Sequence, residues 1–400
     1  MITDSLEELY QQKKLEKNIV LWGVGDYTRN ILQWFDVRGG RDRVLFIVDN
    51  FKFTFCREYE GVQVLEPDVL KNLEKNSFTV VLSMGCAEGV RKQLAAYGVT
   101  DVHNLRCLGE TFVSCRCHIP YHFTDRRKRK KYLCYILAGY DEALWNGTLG
   151  RIEAFQDERV DYCLVTSGKQ DDLLEAIAER NGWSYLWTEV NQVCYIQNLV
   201  IDFHPEAEYI IKMDEDIFIG RWFFERMIEG YHKIECEGEY RIGFVVPTVP
   251  LNCCGYMAYL KHIGMLAEYE ECFGRAYITR FSAAYHAKDA AEFLWDTMEN
   301  FDEMAERFLG YEGYDILDSY YNIGCIMYSR KRWMMMGKWP ETPGEDGMGR
   351  DEACICQDNA DKDMVIYELY NVLAGHLAFG HQKGRMKEYY REHYDKFIIR

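Results

Sequence analysis

Apolar and polar positions fall into two patterns that take turns along the chain. Apolar runs at residues 18–22, 44–48 and 79–83 have the length of buried strands, and the first two close on Gly23-Val24-Gly25 and Asp49-Asn50. Residues 27–35 and a stretch ending at Ala96 instead space their apolar residues as helices do. The alternation resumes further on. Residues 132–138, 162–166, 209–213 and 242–246 read as strands, and 144–155 and 171–181 as helices. Residues 289–307 and 361–373 carry further helical patterns. Strands that take turns with helices predict parallel sheets joined by right-handed crossovers, so the fold class is α/β.

A length of 400 residues suits two domains. The basic run Arg126-Arg127-Lys128-Arg129-Lys130-Lys131 marks the expected joint: a Rossmann-like α/β domain over 1–125, a linker over 126–131 and a second α/β domain over 132–400. Residues 1–125 hold 15 basic and 17 acidic groups, while 132–400 hold 26 and 47, so the acidity belongs to the second part. A net charge of −17 excludes general nucleic-acid binding, which needs positive potential against phosphate. The residues after Met1 include Asp4, Glu7 and Glu8 and form no apolar signal core. The longest uncharged stretch, 242–260, contains Pro247, Pro250, Asn252 and Gly255 and is read as a buried strand plus loop. Fifteen cysteines without a secretory signal point to reduced thiols and a cytoplasmic protein. The basic run and the tail 383–400 are read as a solvated linker and a charged helix, with peripheral contact to anionic lipid at the inner membrane face as the alternative.

The sharpest chemical signal is Lys212-Met213-Asp214-Glu215-Asp216, at the end of an apolar run. Carboxylates crowded at the carboxyl edge of a sheet repel one another unless a cation neutralises them. Mg²⁺ or Mn²⁺ suits such oxygen ligands and shares its shell with substrate phosphates. The alternative is a solvated acidic turn.

With that motif in view, residues 131–400 resemble glycosyltransferases of the GT-A fold. Asp214-Glu215-Asp216 looks like their DxD motif, and other segments follow in the family's order. Ala138-Gly139-Tyr140 and Thr166-Ser167 end the first two strands, on the nucleotide side. Asn191 and Gln197-Asn198 look like the polar pair ahead of the motif. Asn322-Ile323-Gly324-Cys325 resembles the segment lining the sugar and acceptor side. The resemblance implies a metal-dependent transfer of a sugar from a nucleotide-sugar, with a UDP-sugar the first choice. Ala138, Gly139, Tyr140, Thr166, Asn191, Asn198, Lys212 and Asp214 would serve the donor. Asp214 and Asp216 would hold the metal with His376, or with His381 in its place. Gly349-Arg350-Asp351-Glu352 resembles the acidic segment that supplies the base in inverting members, and Asp351 is taken as that base with Glu352 next in line. The acceptor would be a glycan, a polyol-phosphate or a lipid-linked species in bacterial surface-polymer synthesis, and a homo-oligomer is allowed.

The first domain offers other readings. Gly23-Val24-Gly25-Asp26-Tyr27-Thr28, with Asp49 one strand later, could cradle a phosphate and a ribose, though Thr28 stands where the dinucleotide fingerprint has its third glycine. A sugar-nucleotide oxidoreductase or epimerase is therefore the second hypothesis, against which the only Tyr-x-x-x-Lys, Tyr10 to Lys14, lies ahead of the glycine loop. A scaffold with a decayed transferase domain is the third. Cys107, Cys115, Cys117, His118 and His122 fit zinc spacing poorly. Cys253-Cys254 and Cys354/Cys356 are read as reduced core residues.

Overall fold

The computed structural model describes residues 6–11, 13–38, 40–83, 88–104, 119–279, 281–318, 320–340 and 350–400. They form two compact units, one within Met1–Pro120 and the other covering nearly all of 121–400.

The first unit is a six-stranded sheet of β1 (Asn18–Trp22), β2 (Val44–Val48), β3 (Glu58–Tyr59), β4 (Val62–Leu65), β5 (Phe78–Leu82) and β6 (Val102–Asn104), in the order β3-β4-β2-β1-β5-β6. All but β3 run parallel. Counted along the chain, the parallel strands lie in the order third, second, first, fourth, fifth, which is the doubly wound Rossmann arrangement. Every residue of β5 is buried, which is why it reads as an unbroken apolar run.

The second unit is a ten-stranded sheet. Its strands are β7 (Tyr121–Thr124), β8 (Tyr132–Leu137), β9 (Val160–Ser167), β10 (Ser184–Thr188), β11 (Tyr209–Asp214), β12 (Ile217–Ile219), β13 (Arg241–Thr248), β14 (Tyr314–Leu317), β15 (Cys325–Ser329) and β16 (Met364–His376). The order is β12-β16-β13-β15-β11-β8-β9-β10-β7, with β14 also on β16. Strands β11, β8, β9 and β10 are parallel, and helices such as Asp172–Asn181 and Val193–Phe203 connect them. Among the described residues no helix is long and apolar enough to cross a membrane.

Three expectations change. The joint falls at residue 120, because β7 pairs with β10 of the second unit. The basic run is then no linker: Arg126 N donates to Ser184 Oγ at 3.0 Å, and Lys128 N and Lys130 N donate to Asp161 at 2.7 and 2.8 Å. The helix expected over 289–307 is two, Lys288–Asp296 and Phe301–Phe308, because Asn300 Oδ1 caps the second by accepting from Asp302 N and Glu303 N. Of residues 361–373, expected as a helix, only Asp361 is helical. It closes a helix, Asp351–Asp361, and β16 follows. β16 is rich in β-branched and aromatic residues and buried on both faces, so consecutive apolar positions hide its period of two.

Glu368 of β16 faces Asp315 of β14, is 1% exposed, and its Oε1 has no hydrogen-bond partner. Burial, with Cys254 and Asp315 nearby, pushes its carboxyl well above the usual value near 4.5. Below that value both states hold the proton and there is no penalty. Above it only the unfolded chain releases the proton, so stability falls by up to about 1.4 kcal/mol per pH unit. Glu368→Gln lacks this slope. Its unfolding midpoint should pull ahead of the wild type's as pH rises from about 5 to 8, and parallel profiles would refute the assignment.

Candidate functional site

Strand order reverses at β8, whose neighbours are β9 on one side and β11 on the other. Ligands of open α/β sheets bind in the crevice outside the carboxyl ends of the strands at such a point. A cleft of about 640 Å³ opens there, between the ends of β8, β9 and β11, the segment leading into β15, the start of the Asp351–Asp361 helix and the chain after β16.

Each acidic residue at the end of β11 has its own partners. Asp214 Oδ1 accepts from Lys212 Nζ at 2.7 Å, and the same ammonium donates to Ile323 O at 2.9 Å. Burial lifts the Asp214 carboxyl to about 6 against the pull of Lys212. Glu215 turns away from the cation question. Its carboxylate accepts from Gly139 N at 2.9 Å, Tyr140 N at 3.0 Å and Trp145 Nε1 at 2.6 Å. It thereby clamps the loop after β8, where Gly139 holds φ +138° and a Cβ would sit 2.7 Å from Thr166 Cγ2. Asp216 is 6% exposed and meets His376 Nε2 at 3.3 Å, with Lys383 Nζ at 4.0 Å. Burial alone would raise Asp216, but His376 and Lys383 outweigh it and hold the carboxyl below its usual range. His376 moves the other way: burial opposes its charge, and Asp216 raises it.

Asp216 and His376 fit a hard divalent cation. His376 Nδ1 lies 3.2 Å from Leu251 O, a contact that assigns its proton there and leaves Nε2 for a ligand. The Asp216 carboxylate suits Mn²⁺ or Mg²⁺, and of the two Mn²⁺ more readily accepts an imidazole nitrogen beside it. Among the described residues no three His, Cys, Asp or Glu side chains form a ready metal cage, so such an ion would share its shell with water and substrate oxygens.

Asp351 and Glu352 open the helix on the opposite wall, and both line the cleft. Asp351 Oδ2 accepts from Gln197 Nε2 at 2.8 Å. Gln197 is fully buried, and its Oε1 accepts from Tyr135 OH at 2.7 Å, which lies 3.1 Å from Tyr328 OH. A buried hydrogen-bond chain thus aims Asp351 from beneath the sheet. Glu352 is committed elsewhere, accepting from Ile323 N at 3.1 Å, Asn322 Nδ2 at 3.2 Å and the Tyr320 hydroxyl. Burial raises its carboxyl despite these donors.

Of the other expected residues, Ala138, Tyr140, Asn191 and Lys212 line the cleft, and Gly139 borders it through its clamped backbone. Thr166 does not: it is fully buried under Gly139, and its neighbour Ser167 faces the cleft, as side-chain alternation along β9 requires. Asn198 does not either. Its Oδ1 accepts from Trp333 Nε1 at 3.0 Å and Trp339 N at 2.9 Å, and its Nδ2 donates to Trp339 O at 2.9 Å, so it ties the 333–339 segment to the helix. His381 is exposed and absent from the lining. Residues that pattern reading passed over are Asp141 and Lys383, linked at 3.2 Å, and the ring pair Tyr285 and Phe379, tilted by 39° with ring centres 4.4 Å apart. Nothing in their spacing marks them; only the fold joins residues so far apart.

In the first unit, Asp49 is spent on its own loop. Its carboxylate accepts from Val24 N at 2.9 Å, Phe51 N at 2.9 Å and Lys52 N at 2.8 Å, which engages both oxygens and most of their acceptor capacity. Cys107, Cys115, Cys117 and His118 lie outside the described residues. His122, in β7, stacks on Trp187 at 4.0 Å. Cys253, Cys254 and Cys356 are buried thiols outside any disulfide among the described residues, and Cys354 is half-buried.

No protein-family model matches the chain, and no curated protein matches it by sequence. Solved structures show distant likeness. A mannosyltransferase from Pyrobaculum calidifontis in complex with GDP-Man and Mn²⁺ is 11% identical over 77% of this chain and 73% of its own, with a TM-score of 0.37. Glucosyl-3-phosphoglycerate synthase from Mycobacterium tuberculosis, in complex with Mn²⁺, UDP and phosphoglyceric acid, is 13% identical over 68% and 80%, with a TM-score of 0.33. A further mycobacterial protein is 14% identical over 68% and 76%, with a TM-score of 0.34.

Proposed function

We propose that the chain is an inverting glycosyltransferase that moves a sugar from a nucleotide-sugar to an acceptor hydroxyl. The observation that carries this reading is the cleft itself. At a switch point of the sheet it faces a carboxylate–imidazole pair, Asp216 with His376, and a helix-borne carboxylate, Asp351. In this reading Ala138, Tyr140, Ser167 and Asn191 seat the nucleotide. Asn191 Oδ1 is a buried acceptor without a partner, which a base N–H or ribose hydroxyl would satisfy. Asp216 and His376 hold Mn²⁺ or Mg²⁺, which when bound neutralises the departing diphosphate. Lys383 adds fixed positive charge at the same end. Asp351 takes the proton of the acceptor hydroxyl, while Gln197 keeps its Oδ2 aimed and the helix N-terminus favours its charge. Lys212 and Asp214 set the floor between them. The motif order supports a UDP-sugar as donor and a glycan, polyol-phosphate or lipid-linked acceptor of bacterial cell-surface polysaccharide, teichoic acid or lipopolysaccharide synthesis.

The test is thermal unfolding against UDP, GDP, UDP-sugars and NAD(P), each with and without Mn²⁺. A ligand at 100 times its Kd adds about 2.7 kcal/mol to the folded state, a shift of several degrees. A UDP or UDP-sugar shift that requires Mn²⁺ is expected. A shift with NAD(P) alone would move the activity to the glycine loop of the first unit.

A further inference from the structure

The rim of the cleft carries a segment, 274–288, of which only Tyr285 belongs to the cleft lining among the described residues. Residues 274–288 hold Arg275, Arg280 and Lys288 and no acidic residue, in a chain of net charge −17. On the same stretch Tyr277, Ile278 and Phe281 are 54%, 47% and 84% exposed. This exposure is built into the fold. Ala276 N donates to Glu270 Oε1 at 3.0 Å. The hydroxyl of buried Tyr256 both donates to Tyr277 O at 2.8 Å and accepts from Tyr277 N at 2.9 Å. Ser282 N closes a turn on Thr279 O at 3.1 Å, and Phe281 N donates to Thr279 Oγ1 at 3.2 Å. The backbone is therefore pinned from within while the apolar side chains point out, and the Arg275 guanidinium lies 5.3 Å over the Tyr277 ring. Gln382 Nε2 joins this segment to the wall of the cleft by donating to Ala284 O and Ala287 O at 3.0 and 2.9 Å.

We infer that this rim docks on an anionic lipid surface. A glycan lying in the cleft would meet Tyr285 and Phe379, whereas Tyr277, Ile278 and Phe281 are not part of its lining. Ile278 has no ring to stack on a sugar. An aliphatic and two aromatic side chains on one segment with Arg275 and Lys288, in an otherwise acidic protein, is the mixture that a charged bilayer interface favours. The basic run 126–131 is a poorer candidate, because three of its six charges are paired with nearby carboxylates. Arg127 pairs with Asp125 at 2.6 Å, Arg129 with Glu206 at 3.8 Å and Lys131 with Glu208 at 3.2 Å. Docking through 275–288 would set the mouth of the cleft against the membrane, where a lipid-linked acceptor presents its hydroxyl. That consequence rests on the transferase reading; the lipid contact itself does not.

The experiment is flotation of the full-length protein, without nucleotide, on vesicles of phosphatidylcholine alone or with about 30% phosphatidylglycerol. Binding to the anionic vesicles is expected to exceed binding to the neutral ones by about tenfold or more and to weaken with salt. The double variant Ile278→Ser/Phe281→Ser should lose about tenfold of that binding, with its melting temperature and its Mn²⁺-dependent UDP shift unchanged. Phe281→Trp should be quenched by brominated lipid beyond the wild-type background. Equal flotation of wild type and double variant would overturn the inference, as would loss of binding on charge reversal in 126–131 instead. A raised KM for a soluble glycan acceptor with unaltered flotation would make the rim an acceptor platform and equally end the lipid reading. Flotation that holds while the UDP shift fails would remove the transferase reading and leave the lipid surface standing.

Discussion

Asp216→Ala abolishes sugar transfer and leaves a folded protein. The expected loss in kcat/KM is on the order of 10³-fold or more, since a bound metal's charge stabilisation is worth several kcal/mol in the transition state. The geometry isolates this residue from its neighbours. Glu215 is clamped by three N–H donors and Asp214 is held by Lys212, so only the Asp216 carboxylate stands beside His376. Folding survives because the backbone carbonyl of Asp216 still accepts from Leu377 N, and because His376 can shed its proton once the carboxylate is gone. The readouts are transfer rate, circular dichroism and the Mn²⁺-dependent part of the UDP thermal shift, which should vanish together with activity. Wild-type transfer by Asp216→Ala would sink the cation assignment.

Asp351→Asn should lower kcat by about 10²–10⁴-fold, the range a positioned general base supplies. Donor binding should be untouched, because Asp351 sits on the wall opposite the ends of β8 and β9. The UDP shift and the donor KM are therefore expected at wild-type values while turnover collapses. Asparagine keeps the size of the side chain and can still accept from Gln197, so the loss would report the missing charge and basicity. Glu352 provides the contrast. It holds the 320–323 segment through three contacts, and its replacement should cost stability first. An Asp351→Asn enzyme with full kcat, alongside a collapse of kcat in a stably folded Glu352→Gln, would exchange the two roles.

The second sheet is mixed, with β7, β12, β14 and β15 antiparallel to their neighbours. The parallel strands of both sheets were nevertheless legible in the sequence, because they are largely buried and stand out as short apolar runs between helical stretches. β16 was not, because it is buried on both faces, so that apolar residues stand at consecutive positions and hide the period of two, and its thirteen residues have the length of a helix. His376 comes just after the stretch with the helical pattern, yet it reaches Asp216 from the end of that strand, where Ile217 of β12 pairs with it. The acidic cluster was visible, but nothing in Asp214-Glu215-Asp216 distinguishes a residue facing a ligand from one facing a backbone loop 75 residues away. Alternation decided two further positions. Ser167 rather than Thr166 turns to the cleft, and of the adjacent Gln197 and Asn198 on one helix, the first reaches Asp351 and the second locks Trp333 and Trp339 in place.

The Glu215 clamp has a consequence for the order of events. Because one carboxylate fastens the loop after β8 to the end of β11, the two sides of the donor seat are already assembled in the free protein. The entropy of ordering that loop is lost during folding, not on encounter with a ligand, which is preorganisation in the thermodynamic sense. A donor arriving first would find its seat ready and need no partner molecule to complete it. Binding of the donor ahead of the acceptor is therefore the natural kinetic sequence for a cleft built this way.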